Sequence, residues 1–223
     1  MSEAGKVFLL GSSGGGAVAE VFQRVARELG GKRARVGFSL AALPSAGGEG
    51  QTRAFLKGAL PEAEVARFAV DGEEGTTRTP EARAVVERAD VLFFGGGDPV
   101  LVARRLVDAG ADVWIRDARA RGAICVGLSA GSIALGAFWG SWSDESPDED
   151  PAIIPCVGVA ADLVVDCHAE EDDWAELRTV KRCLGARGRG LRFAGIGHGC
   201  ALIVSGGGAH EWIGRDLLLS SSD

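Results

Sequence analysis

A chain of 223 residues that is 46% hydrophobic can bury a substantial core, and its length requires no second domain. A formal net charge of −7, with no basic stripe interleaved with aromatics, excludes the broad phosphate-binding footprint of a nucleic-acid protein. The 34 glycines follow no Gly-X-Y period, which excludes collagen, and no window reaches the roughly 18 apolar residues of a membrane span.

The opening MSEAGKVFLLGSS has an apolar core too short for a secretory signal. From there apolar runs recur: KVFLLG, ARVGFSLAAL, AEVARFAV, DVLFFGG, GAICVGL, DLVVDC, RFAGIG and CALIVS. Several lack period-2 alternation, as expected of parallel strands covered by helices on both faces. Thr79-Pro80 ahead of EARAVVERA supplies an N-cap and an N1 proline. PVLVARRLVDAG and DVWIRDARARG read as helices ending near Gly, and EDDWAELRTVKRCLGARG as one whose charges match the helix dipole.

This alternation predicts an α/β fold: a three-layer α/β/α sandwich around a mostly parallel sheet, one domain over residues 1–223. The tail CALIVSGGGAHEWIG, followed by DLLLS, predicts a hairpin or edge addition turning at Gly206–Gly208. SWSDESPDEDPAIIP, residues 141–155, is acidic and holds Pro147, Pro151 and Pro155, so an exposed, mobile loop is expected there. Five cysteines without a CxxC pair point to free thiols, a reducing compartment and a cytoplasmic protein. The Cys and His spacing offers no zinc site.

Chemistry concentrates at two loops that follow strands, where open α/β sheets bind ligands. One is FFGGGDP, residues 93–99. The other is GLSAG, with Ser129 between a strand and a helix starting near Ala130, the context of a nucleophile elbow. The helix N-terminus behind it offers free N–H groups, so Ala130 and Gly97 are the expected oxyanion donors. The bland alternative is that Ser129 only caps the helix. A base must come from His168, His198 or His210, and His168 is favoured because it follows the strand-like DLVVD at the same edge. Asp144, Asp166, Glu170 and Glu171 are the carboxylates that could orient it.

GGGDP, VGLSAGSIALG, a strand leading to an isolated histidine and an Arg-containing helix together resemble the serine peptidases of the dipeptidase E and cyanophycinase family. That resemblance implies a class I glutamine-amidotransferase-like fold with no metal or cofactor. It also implies a Ser129–His168–Asp144 triad and an oxyanion hole from Gly97 and Ala130. Gly97 and Asp98 match the family's GGGN-type loop, with Asp replacing Asn, which implies that Asp98 is a substrate-binding residue. Arg178 matches an arginine that holds the substrate's aspartate side chain, with Arg182 as the substitute. Where the cyanophycinase branch has a glutamate, His198 stands. The implied activity is hydrolysis of small acidic dipeptides with N-terminal aspartate by a monomer or homodimer, without nucleic-acid or membrane partners. The rivals are a cyanophycinase-like β-Asp-Arg hydrolase and an idle binder of small acidic ligands. A glutamine amidotransferase would need a thiol where Ser129 stands, and Cys125 should point from mid-strand into the core.

Overall fold

The computed structural model describes residues 4–43, 47–70, 79–143, 149–215 and 218–219. The first unit, β1 (Val7–Leu10), α1 (Gly16–Glu28), β2 (Arg35–Ser39), shows how the sequence builds the fold. All four residues of β1 are buried, and they alternate between two cores. Val7 and Leu9 face one, Phe8 and Leu10 the other. A strand buried on both faces has no reason to alternate in polarity.

The pattern repeats through α2 (Glu49–Ala59), β3 (Glu64–Arg67), α3 (Thr79–Arg88), β4 (Val91–Phe94), α4 (Pro99–Asp108), α5 (Ala111–Ala120), β5 (Ile124–Leu128) and α6 (Ala130–Leu135). Buried residues of α1 and α2 pack on one face of the sheet, and those of α3 to α6 on the other. The result is the expected three-layer arrangement. Neither α1 nor α2 stands out in the sequence. The buried face of α1, Ala17, Val21, Phe22 and Val25, begins within a glycine-rich run, and α2 buries only Leu56. The capping reading at Thr79 concerns a side chain outside the described residues.

The remaining strands are β6 (Phe138–Ser141), β7 (Ala152–Pro155), β8 (Leu163–Cys167), β9 (Arg192–Ile196), β10 (Ala201–Val204), β11 (His210–Ile213) and β12 (Leu218–Leu219), with α7 (Ala175–Leu184) between β8 and β9. The main sheet has the order β11-β10-β1-β5-β4-β2-β3. Its β1, β5, β4, β2 and β3 run parallel, while β10 and β11 join as an antiparallel hairpin. That hairpin turns through Gly206–Gly208, as the sequence predicts.

Two expectations need correction. The ends of 141–155 are not loop: Ala152–Pro155 pairs antiparallel with Phe138–Ser141, because buried Trp139 and the apolar Ile153 and Ile154 give this ribbon a face to pack. Residues 144–148, with Asp144, lie outside the described residues. DLVVDC and RFAGIG do not join the main sheet either. They pair in parallel as β8 and β9, with β12 on the edge of β9, forming a smaller sheet against the same core as α3 to α6. Among the described residues no helix is long and apolar enough to cross a membrane.

Candidate active site

Register decides what meets at the carboxyl edge. Leu10 pairs with Leu128 and Phe94 with Gly127, so Gly11, Ser129 and Gly96 come level at the edge of the main sheet. In the smaller sheet Cys167 pairs with Ile196, so His168 and Gly197 leave together. Cys167 Sγ lies 3.8 Å from the Leu10 carbonyl, which sets the two edges against each other.

Ser129 occupies a sharp turn at φ 51° and ψ −118°, a positive-φ conformation costly for a residue with a Cβ. The turn is held on both sides. Ser129 N–H donates to Leu10 O at 2.8 Å, while Ser129 O accepts from Ser132 N–H at 2.7 Å and Ile133 N–H at 3.1 Å. Ser132 Oγ, fully buried, donates to the same Leu10 carbonyl at 2.9 Å. The two glycines of G-x-S-x-G are there for space. A Cβ on Gly127 would lie 2.6 Å from Ser132 Cα, and one on Gly131 would lie 2.2 Å from Phe94 O. Neither contact is tolerable, so strand and helix can cross this closely only with glycine at both positions.

The Ser129 side chain makes no cap hydrogen bond to α6. Its Oγ lies 2.8 Å from His168 Nε2 instead. The helix-cap reading therefore fails, and the serine and histidine stand within proton-transfer distance. His168 also has positive φ, 48°, and its N–H donates to Ile196 O at 2.9 Å.

The glycine-rich loop runs beside the serine, with the position of a Gly96 Cβ only 3.5 Å from Ser129 Cβ. Among the described residues no acceptor takes the N–H of Gly97 or Ala130, which leaves both free for an anion at the elbow. Asp98 is engaged through one oxygen: its Oδ1 caps α4, accepting from Val100 N–H at 2.8 Å and Leu101 N–H at 3.0 Å.

The other expected residues are distributed unevenly. Arg178 is exposed and donates to Asp173, at 2.8 Å to its carbonyl and 3.1 Å to its carboxylate. Arg182 makes a bidentate pair with Asp150 at 2.8 and 2.7 Å, and holds that carboxyl below its ordinary range. Glu170 Oε1 accepts from His198 N–H at 2.5 Å, Glu171 is exposed, and among the described residues no carboxylate bonds to His168. Asp166 is buried, accepting from Cys167 N–H at 2.7 Å, and lies under the first turn of α7 at the Leu177 N–H. Burial pushes its carboxyl up to about 7, helped by the negative charges of Glu176 and Asp172. Cys125 is buried in β5, and burial pushes its thiol up to about 12, so it offers no thiolate. Among the described residues no cluster of His, Cys, Asp and Glu could hold a metal ion.

The sequence left one neighbour unplaced. The His198 ring stacks on that of His168, centroids 5.4 Å apart and planes at 26°. Spacing could not reveal this contact, because it depends on β8 and β9 ending level.

A strained strand-to-helix turn that carries a serine against a histidine, on a mostly parallel α/β sheet, is the architecture of a hydrolase. The model of peptidase family S51 matches residues 7–212, and the chain belongs to this family. It is a peptidase. The fold is shared with solved structures at low identity. A peptidase from an acI-B1 Actinobacterium is 18% identical, with a TM-score of 0.71 over 99% of this chain and 96% of that one. A candidate peptidase E from Listeria monocytogenes EGD-e is also 18% identical, with a TM-score of 0.61 over 96% of this chain and 99% of that one. No curated protein matches the chain.

Proposed function

We propose that this peptidase is a serine-type dipeptidase acting on short peptides with N-terminal aspartate. The carrying observation is the 2.8 Å approach of Ser129 Oγ to His168 Nε2 on a turn that the packing enforces. In this reading Ser129 Oγ attacks the scissile carbonyl as His168 Nε2 takes its proton. The developing oxyanion accepts from the N–H groups of Gly97 and Ala130. His168 returns the proton to the leaving amine, and water, deprotonated by His168, releases the acyl-enzyme. Asp144 is the proposed orienter of His168, since Asp166, Glu170 and Glu171 make no hydrogen bond to its ring among the described residues.

Arg178 is the proposed partner of the substrate's aspartate carboxylate. An exposed pair such as Arg178–Asp173 contributes little, on the order of 0–1 kcal/mol, so an incoming carboxylate can displace Asp173. Asp98 is exposed and caps α4 through Oδ1, so it is Oδ2 that would meet a substrate. The cyanophycinase-like alternative gains nothing from a histidine at 198.

The test is hydrolysis of Asp-p-nitroanilide and an Asp-X dipeptide panel, with β-Asp-Arg included, by wild type and Ser129→Ala. Turnover that falls at least about 10³-fold in the variant is expected. Turnover that survives Ser129→Ala would end the serine mechanism, and a preference for β-Asp-Arg would end the Asp-X assignment.

A further inference from the structure

His168 needs a fixed orientation, and the described structure gives it little else to hold it. It follows the last residue of β8, is exposed, and has Ser129 Oγ as its side-chain hydrogen-bond partner. A ring with one polar contact can turn about χ2, because terminal torsions of this kind are broad. The face of that ring is covered by His198.

His198 is itself fastened from several directions. Its N–H donates to Glu170 Oε1 at 2.5 Å. The Gly199 N–H donates to Ser12 Oγ at 3.3 Å, and the Cys200 N–H closes a tight turn on Gly197 O at 3.1 Å. Glu170 Oε1 lies 2.6 Å from where a Gly197 Cβ would stand, so the carboxylate fills a notch that only glycine leaves open. The β9–β10 corner is thus tied to the segment that carries His168 and to the loop after β1.

We propose that His198 is a positioning residue: its ring, anchored through Glu170, holds the His168 imidazole where Nε2 reaches Ser129 Oγ. This inference rests on the assignment of Ser129 and His168 as nucleophile and base. Stacking restricts rotation while leaving His168 Nδ1 free for a carboxylate, so the role adds to that of an orienting acid. The groups facing His198 are Glu170 and His168 from the β8 side, Ser12 beyond Gly199, and Cys200, whose Sγ donates to His198 O at 3.6 Å.

The experiment uses a reaction that needs the nucleophile and base but no peptide specificity: phosphonylation of Ser129 by a fluorophosphonate, located by mass spectrometry and timed. It is paired with kcat and KM on the Asp-X substrate. His198→Ala should slow phosphonylation and lower kcat by about tenfold with KM little changed, as expected for loss of an aromatic contact. His198→Phe keeps a flat ring and should recover to within about threefold of wild type. Glu170→Gln keeps the accepting oxygen and should resemble wild type, whereas Glu170→Ala should follow His198→Ala.

Melting temperatures report folding, and His198→Gln replaces His198→Ala if the latter melts early. Equal rates for wild type, His198→Ala and His198→Phe would overturn the proposal, as would a loss in His198→Phe as large as in His198→Ala. Wild type left unlabelled at Ser129 would overturn the serine-peptidase reading itself, a distinguishable result that removes the proposal with it.

Discussion

The strings Gly95–Gly97 and Gly206–Gly208 are identical in sequence and opposite in setting. The first leaves β4 at the carboxyl edge, and a Cβ on Gly97, whose φ is 143°, would lie 2.3 Å from the Ala42 carbonyl. The second turns the β10–β11 hairpin in open space, with nothing within 4 Å of a Cβ on Gly207 or Gly208. Three glycines therefore carry no function in themselves. At the first site they let a backbone pass between Ala42 and Ser129, while at the second they only reverse the chain.

Breaking this contrast should be most damaging at Gly97. The Ala42 carbonyl that a side chain would strike also accepts the Asp98 N–H at 2.8 Å, so the loop cannot yield without losing its anchor. On the proposed mechanism, in which Gly97 is an oxyanion donor, Gly97→Ala should lower kcat/KM by about 10²–10³-fold. The loss should appear mainly in kcat, measured on the Asp-X substrate.

Setting decides the behaviour of carboxylates in the same way. Asp98 is exposed and accepts two N–H groups at the start of α4, whereas Asp166 is buried, accepts from Cys167 N–H at the end of β8 and, among the described residues, leaves its Oδ2 unpartnered. Its folded-state pKa of about 7 lies above the ordinary 3.8, so the folded protein binds the extra proton between those values. The stability this group contributes is complete below about pH 4 and is lost as pH rises through 7. Asp166→Asn keeps an accepting oxygen and cannot ionise. Relative to wild type, it should gain on the order of 4 kcal/mol between pH 4 and pH 8, read from urea unfolding at each pH. A difference that does not change with pH would show that Asp166 titrates normally.

Asp98 gives the smaller counterpart. Asp98→Ala should cost about 1 kcal/mol of unfolding free energy through loss of the α4 cap. Because the cap sits at the end of the glycine loop, a fall in kcat of a few-fold should accompany it. Unchanged kinetics would mean that Ala42 alone holds the loop.

Much of this was legible beforehand because local chemistry and packing agree. Doubly buried strands read as unalternating apolar runs, and GLSAG between strand and helix announced an elbow from five residues. Ser129 and His168 meet as their loop positions suggest. What escaped notice depended on register and on competition between partners. The His198–His168 stack exists because Cys167 and Ile196 end level in a second sheet that apolar runs cannot distinguish from the first. Asp98 enters the candidate site through the family's glycine-rich loop, and the sequence does not show that two N–H groups of α4 claim its Oδ1. The ribbon at 138–155 was hidden by its acidic, proline-bearing centre, although its pairing strands hold Trp139, Ile153 and Ile154.

The mildest substitution completes the comparison of the two glycine strings. Gly207 has open space around it and, unlike Gly208 at φ 79°, does not occupy the left-handed region. Alanine there should narrow the unfolded ensemble without straining the turn, raising stability by about 0.4–1 kcal/mol. At Gly208 the same change meets an unfavourable φ and should destabilise, although the space is equally open. Neither should alter kcat/KM, because the turn lies at the far end of β10 from the elbow. Urea unfolding of the two variants side by side separates conformational demand from crowding, which at Gly97 act together.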